Sequence, residues 1–193
     1  TWSHELAVNA SIIEHKDYSL DLGVNFTKVT NKVKELAPGV ESIMLGGFVE
    51  PQIRAQAGYT YPNIYGKAFQ RSEDGQLLLS DGKPISTGAS QNLGECTPDF
   101  NMGFNLKASY KRLSLSATLD WQKGGKMYNG TLLTMNYFGA TKESLPYHEG
   151  TMVAEGIDIA TGQKNTIEVS KQDYYQAYYD VTEAGIFDTS YWK

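Results

Sequence analysis

The residues able to do chemistry are sparse and poorly arranged for it. The three histidines, His4, His15 and His148, lie far apart and lack the short or i, i+4 spacing of a metal-binding pair. His15 falls where a tight turn is expected and reads as a solvated turn residue. No Gly-x-Ser-x-Gly elbow offers a strained nucleophile. Carboxylates that could pair for glycoside hydrolysis, Glu73, Asp74 and Asp81 or Glu149, Glu155 and Asp158, sit at turns, where acidic side chains are ordinary turn formers. Asp74-Gly75 and Asp81-Gly82 could contribute to a calcium site, but the spaced oxygen set of an EF-hand is missing, so hairpin turns are expected. Gly124-Gly125 is followed by no Lys-Ser/Thr and is not a phosphate loop. Cys96 stands alone, which removes any intrachain disulfide or cysteine zinc cluster. The chain is therefore expected to carry no catalytic residues, no metal and no cofactor.

What remains is recognition surface. Tyr59, Tyr61, Tyr65, Tyr137, Tyr147 and the group Tyr174, Tyr175, Tyr178 and Tyr179 are candidate ligand- or partner-binding residues. Tyrosine rings stack on sugars and apolar side chains and add a hydroxyl partner. The competing role for each is to pack its loop into a stable cap. In Asp173–Asp180, helical spacing would set Tyr174 over Tyr178 and Tyr175 over Tyr179.

Something must hold these loops. The chain has 193 residues, 17 Lys plus Arg against 22 Asp plus Glu, and a net charge of −5, an acidic balance that argues against a nucleic-acid partner. No run approaches the ~18 apolar residues of a spanning helix, which excludes helical membrane proteins but not membrane barrels. Thirteen Tyr, seven Phe and 19 Gly favour strand and turn. The abrupt start at Thr1-Trp2-Ser3 and end at Tyr191-Trp192-Lys193 read as a piece of a longer chain.

The clearest pattern is strict alternation, the period of a strand with two unlike faces. Met102, Phe104, Leu106, Ala108 and Tyr110 share a face. After a Lys111-Arg112 turn, Leu113, Leu115, Ala117, Leu119 and Trp121 do the same. Tyr18, Leu20, Leu22, Val24 and Phe26 form a third such face. Leu6, Val8, Ala10 and Ile12 form a less regular fourth, linked to the third through Glu14-His15-Lys16. Asn9 and Asn25, in Asn-x-Ser/Thr triplets like Asn129, fall on the polar faces of these strands.

Two long hairpins (about 5–30 and 101–123) thus have tight turns at one end and long excursions (about 31–100 and 124–193) at the other. Membrane barrels show that asymmetry, with Tyr110 and Trp121 suited to interfacial aromatic girdles. An antiparallel sheet on a soluble core alternates just as well. Within the excursions, Ala37-Pro38-Gly39, Gly46-Gly47, Glu73-Asp74-Gly75, Ser80–Pro84 and Thr161-Gly162 are turn sites, and Leu77-Leu78-Leu79 reads as a short hairpin strand.

Several segments resemble, in order, the SusC/RagA family of TonB-dependent outer-membrane transporters. They are Asp17-Tyr18-Ser19-Leu20-Asp21 with Asn25–Val33, then Ile64–Gly75 with Asp81-Gly82-Lys83-Pro84, then Leu93–Phe104. Tyr110–Ser116, Asp120–Gly125, Tyr128–Thr131 and Phe187–Lys193 follow. Glu95-Cys96 and Lys126-Met127 depart from the family pattern, in loops. The resemblance implies an all-β fold. The chain would form antiparallel hairpins of a large outer-membrane barrel of about 22 strands with long extracellular loops, residues 1–193 being part of the barrel's C-terminal half. It further implies a bacterial outer-membrane location and uptake of an oligomeric nutrient, glycan or peptide. The implied partners are a SusD-like surface lipoprotein, the membrane lipid, and TonB acting through a plug outside these residues. The alternative from the residues alone is a secreted β-sandwich carbohydrate-binding module.

Overall fold

A computed structural model describes every residue of the chain except Phe48. It opens with β1 (Trp2–His15) and β2 (Tyr18–Thr30), antiparallel and joined by a two-residue turn at Lys16-Asp17. The turn lies one residue later than Glu14-His15-Lys16. His15 is the last residue of β1, stacked on Tyr18 with ring centroids 4.5 Å apart, so it is not the turn residue expected. Register shifts between Ser11 and Ile13, leaving Ile12 as a bulge. This is why the alternation in β1 looked irregular: one extra residue flips the parity. Ile13 therefore joins Leu20 on the face where Leu6, Val8 and Ala10 meet Phe26, Val24 and Leu22, and the expected placement of Ile12 there is corrected.

The first excursion carries β3 (Ser42–Gly47), β4 (Gln52–Gln56), β5 (Asn63–Gly66), β6 (Leu78–Ser80), β7 (Lys83–Pro84) and β8 (Gln91–Glu95). The second long hairpin follows, β9 (Phe100–Tyr110) and β10 (Leu113–Lys123), turning at Lys111-Arg112. After it come β11 (Lys126–Tyr128), α1 (Gly130–Tyr137), β12 (Thr151–Val153), β13 (Ile157–Asp158), β14 (Gln163–Lys164) and β15 (Glu168–Ser170). The chain continues through α2 (Lys171–Tyr179), β16 (Ile186–Asp188) and β17 (Tyr191–Trp192).

The long strands form one sheet in the order β1-β2-β9-β10-β17. Both tight turns lie at the same end, tied by the Lys111 amide donating to the Asp17 carbonyl at 2.6 Å. Side chains run in rows across the sheet. One face carries Val8, Val24, Phe104 and Leu119 in register. The other carries Asn9, Gly23, Asn105 and Thr118, where Thr118 Oγ1 donates to Asn105 Oδ1 at 3.1 Å. On that polar face Ser11 donates to Asp21 at 2.6 Å, and the Ser19 and Ser109 hydroxyls lie 2.7 Å apart.

Nothing among the described residues covers the apolar face. Leu6, Leu113 and Leu115 are 60%, 72% and 60% exposed. Leaving such side chains in water forgoes roughly 1.5–3 kcal/mol each, and a soluble sandwich would pack a second sheet there. At the turn end this face carries Tyr18 and Tyr110. At the other end Phe26, Phe100, Trp121 and Trp192 form a continuous aromatic row, with successive centroids at 5.7, 4.8 and 4.3 Å. The row of Tyr110 and the row of Met102 are separated by roughly 26 Å of strand at about 3.3 Å per residue. From Tyr110 on to Phe100 the strand runs roughly 33 Å, which a barrel tilt of about 40° reduces to about 25 Å, the height of an apolar band between aromatic girdles.

The two excursions fold together at the end away from the turns. β6 pairs with β7 through a turn whose Asp81 and Gly82 both have positive φ (49° and 76°), the geometry of a tight two-residue hairpin. β6 also pairs in parallel with β13 of the second excursion. The cap core is Leu79, Ala154 and Tyr174, flanked by Leu77, Met152, Val169, Tyr175 and Tyr178. Polar clasps reinforce it. Glu183 accepts from the Phe69 amide at 2.7 Å and from Arg71 at 3.0 Å, and Thr182 donates to Glu50 at 3.1 Å. Gly66 lets the chain pass Thr182, because a Cβ there would lie 2.6 Å from Thr182 Cγ2. Gly46-Gly47 is not the expected turn. It closes β3 beyond a bulge at Leu45.

Candidate functional site

Two helices position the aromatic cluster. Ser170 caps α2, its hydroxyl accepting from the Asp173 amide at 3.0 Å, and the helix runs through Lys171–Tyr179 as the tyrosine spacing predicted. Tyr174 and Tyr178 lie in near-parallel planes 6.3 Å apart, and Tyr175 and Tyr179 at 6.2 Å. The faces differ in fate. Tyr174 is 8% exposed in the cap core, and Tyr178 packs on Phe69 of the first excursion at 4.7 Å. These two hold the loops together, the structural role weighed against binding for each tyrosine.

Tyr175 flanks that core and also reaches the outer side of the helix. Its ring stacks on Tyr147 with centroids 3.4 Å apart and planes 16° from parallel. Together they form one wall of a cleft of about 260 Å³ between α1, α2 and the 145–147 turn, which Tyr137 and Phe138 also line. α1 escaped the sequence reading. Its start was signalled by Asn129, whose Oδ1 accepts from the Leu132 amide at 3.0 Å as an N-cap. The cleft floor is set by Ser144, buried and exchanging bonds with Thr141, and by His148, whose Nε2 lies 3.0 Å from the Gly139 carbonyl. Asn136, Gln172 and Gln176 supply amides, and no lining residue is Asp, Glu, Lys or Arg. Such a site can stack a ring and hydrogen-bond a neutral polar group. Ser144 Oγ donates to the Thr141 carbonyl at 2.7 Å and His148 Nε2 faces the Gly139 carbonyl, so each is engaged with backbone.

The other expected tyrosines are elsewhere. Tyr59 and Tyr61 are exposed on the β4–β5 connection, which is bonded to the extension of β2. Asn31 Nδ2 donates to the Tyr61 carbonyl, and the Tyr61 amide donates to Asn31 Oδ1, both at 2.7 Å. Tyr65, on β5, lies under the Arg54 guanidinium at 4.9 Å. Asp74-Gly75 and Asp81-Gly82 form turns, and no group of three or more His, Cys, Asp or Glu among the described residues is placed to hold a metal. Burial pushes the Cys96 thiol up, which makes it a poor nucleophile at neutral pH. Lys126, a departure from the family pattern, lies over Gly94 and donates to the Leu93 carbonyl at 3.2 Å, so it binds the two excursions together.

Burial first, then the Tyr147 hydroxyl and neighbouring rings, push Tyr175 up to about 12. A raised phenol ionises in the unfolded loop before it does in the folded one. Cap stability should therefore be intact below about pH 10 and fall between there and about 12. Relative to the hydroxide-catalysed rise common to all amides, the protection of α2 should fall over that range while β9 and β10 keep theirs. Tyr175→Phe should weaken the dependence, with Tyr174 and Tyr179, also pushed up by burial, supplying the remainder.

A sheet with an uncovered apolar face, aromatic rims and a folded cap at one end defines a segment of a membrane-type β-barrel. No protein-family model matches the chain. Over an alignment of 156 residues it is 28% identical to the TonB-dependent receptor P3 of Formosa agariphila, a match covering 68% of this chain and 16% of that protein. Its fold matches the solved structure of the RagAB peptide transporter with a TM-score of 0.54 at 22% identity, over 74% of this chain and 17% of the other. The chain thus spans about a sixth of the length of either relative. With the ordered motifs, these matches support a SusC/RagA-type TonB-dependent receptor segment.

Proposed function

We propose that these residues serve an outer-membrane TonB-dependent importer of an oligomeric nutrient, supplying barrel strands and part of the surface that meets cargo. The whole protein would take up a glycan or peptide, with a SusD-like lipoprotein over the extracellular mouth and TonB acting through a plug outside these residues. The observation that carries this reading is the placement of the cleft. Tyr137, Tyr147 and Tyr175 open from a cap at the end of the sheet away from the tight turns, the end where barrels of this type carry their long outer loops. The RagAB relative is named a peptide transporter. An uncharged wall of rings and amides suits a sugar ring or a peptide backbone.

Capture, not covalent chemistry, is the role of these side chains. A stacked tyrosine contributes about 0.5–1.5 kcal/mol beyond its buried area, so Tyr147→Ser with Tyr175→Ser should weaken cargo binding roughly 5- to 150-fold. In the full-length receptor the double variant should reach the outer membrane at normal levels and slow growth on the cognate nutrient. Normal growth and normal cargo binding would remove the cleft from the import path.

A further inference from the structure

The first excursion ends in an unfinished sheet. Its strands run in the order β3-β4-β5-β8, and among the described residues β3 has no partner on its outer side. Edge strands are usually blunted by lysine, proline or charge. Here the sequence between Glu41 and Glu50 carries no charged residue, and Ile43, Met44 and Leu45 are 43%, 52% and 49% exposed. The Leu45 bulge interrupts this edge without covering it.

The topology says what lies beside it. β8 leads directly into β9, and the β4–β5 connection is bonded to Asn31 and Val33 just past β2. The small sheet therefore steps from β8 to β3 in the sense in which the large sheet steps from β9 through β2 to β1. β1 starts at the cap end, since Trp2 pairs with Thr30 and the β1–β2 turn is at the opposite end. Among the described residues β1 has a free edge that barrel closure must fill, and the chain spans only 16% of its curated relative's length.

We propose that the outer-loop segment linking β1 to the preceding barrel strand in the full-length protein adds a strand to the free edge of β3, joining a third excursion to the cap. This rests on the barrel reading. The test is amide exchange of the full-length receptor in lipid nanodiscs, alone, at two concentrations, and with its surface lipoprotein. Residues 42–47 should be protected in the receptor alone, independently of concentration. Replacing the preceding outer loop with a short Gly-Ser turn should speed their exchange about tenfold or more while β2 and β9 stay slow. Rapid exchange of 42–47 in the intact receptor would overturn the proposal. So would protection that needs the lipoprotein or rises with concentration, which would assign the edge to that partner or to a second copy. Rapid exchange in β2 and β9 as well would instead sink the barrel reading.

Discussion

An arginine at Leu115, one row inside the tyrosine rim, should cost the inserted receptor about 1–3 kcal/mol, and one at Ser116 far less. The two positions are adjacent on β10 and differ only in the face they present. Leu115 pairs with Ala108 in a row that includes Leu20 and Ile13, between the tyrosine rim and the tryptophan rim. Ser116 pairs with Lys107, which pairs with Asp21, on a face that already carries charge. Guanidinium at Leu115 would be driven into hydrocarbon. At Ser116 it would enter a hydrated, polar lumen. Refolding the two variants of the full-length receptor into bilayers measures the difference. Equal costs would mean that the apolar face does not contact lipid, and the membrane assignment would fail.

Leu79→Ala should destabilise the loop cap by about 2–5 kcal/mol, the range for emptying a well-packed leucine site. Leu79 is fully buried where the two excursions meet, on the strand that pairs with both β7 and β13, and it packs with Ala154 and Tyr174. The cavity would open under α2 and so beneath Tyr175. Amide exchange in β6, β13 and α2 should accelerate, whereas β1, β2, β9 and β10, whose ladder does not include Leu79, should be unchanged. If the long strands loosened equally, the cap would not be the separate cooperative unit that its own core indicates.

Much of this was legible in the residues because local rules were sufficient. The hairpin at Lys111-Arg112 follows from alternation broken by a two-residue gap. The parity of β2, β9 and β10 needs no partner to be read. The α2 stacks follow from i, i+4 spacing, and the Asp81-Gly82 turn from a dipeptide that tolerates positive φ. Where the reading erred, a neighbour supplied the missing term. Ile12 bulges because β1 must keep register with β2, and Gly46-Gly47 extends β3 because β4 pairs with it. α1 contains Gly, Thr and Asn and has weak helical preference; the Asn129 cap and its packing near Gly185 hold it.

The sequence by itself determined the faces: which side chains point together along each strand, where the chain turns, and that one face is apolar from rim to rim. Those are short-range properties, set by backbone geometry and side-chain period. Only the tertiary structure decided that residues more than a hundred positions apart meet, as in Glu50 with Thr182 and Phe69 with Glu183, and that of four neighbouring tyrosines Tyr174 is buried while Tyr175 faces a cleft. Helical period can align two rings but carries no information about which side the partner excursion will cover. That is settled by long-range pairing of β6 with β13, whose contacts no local pattern encodes.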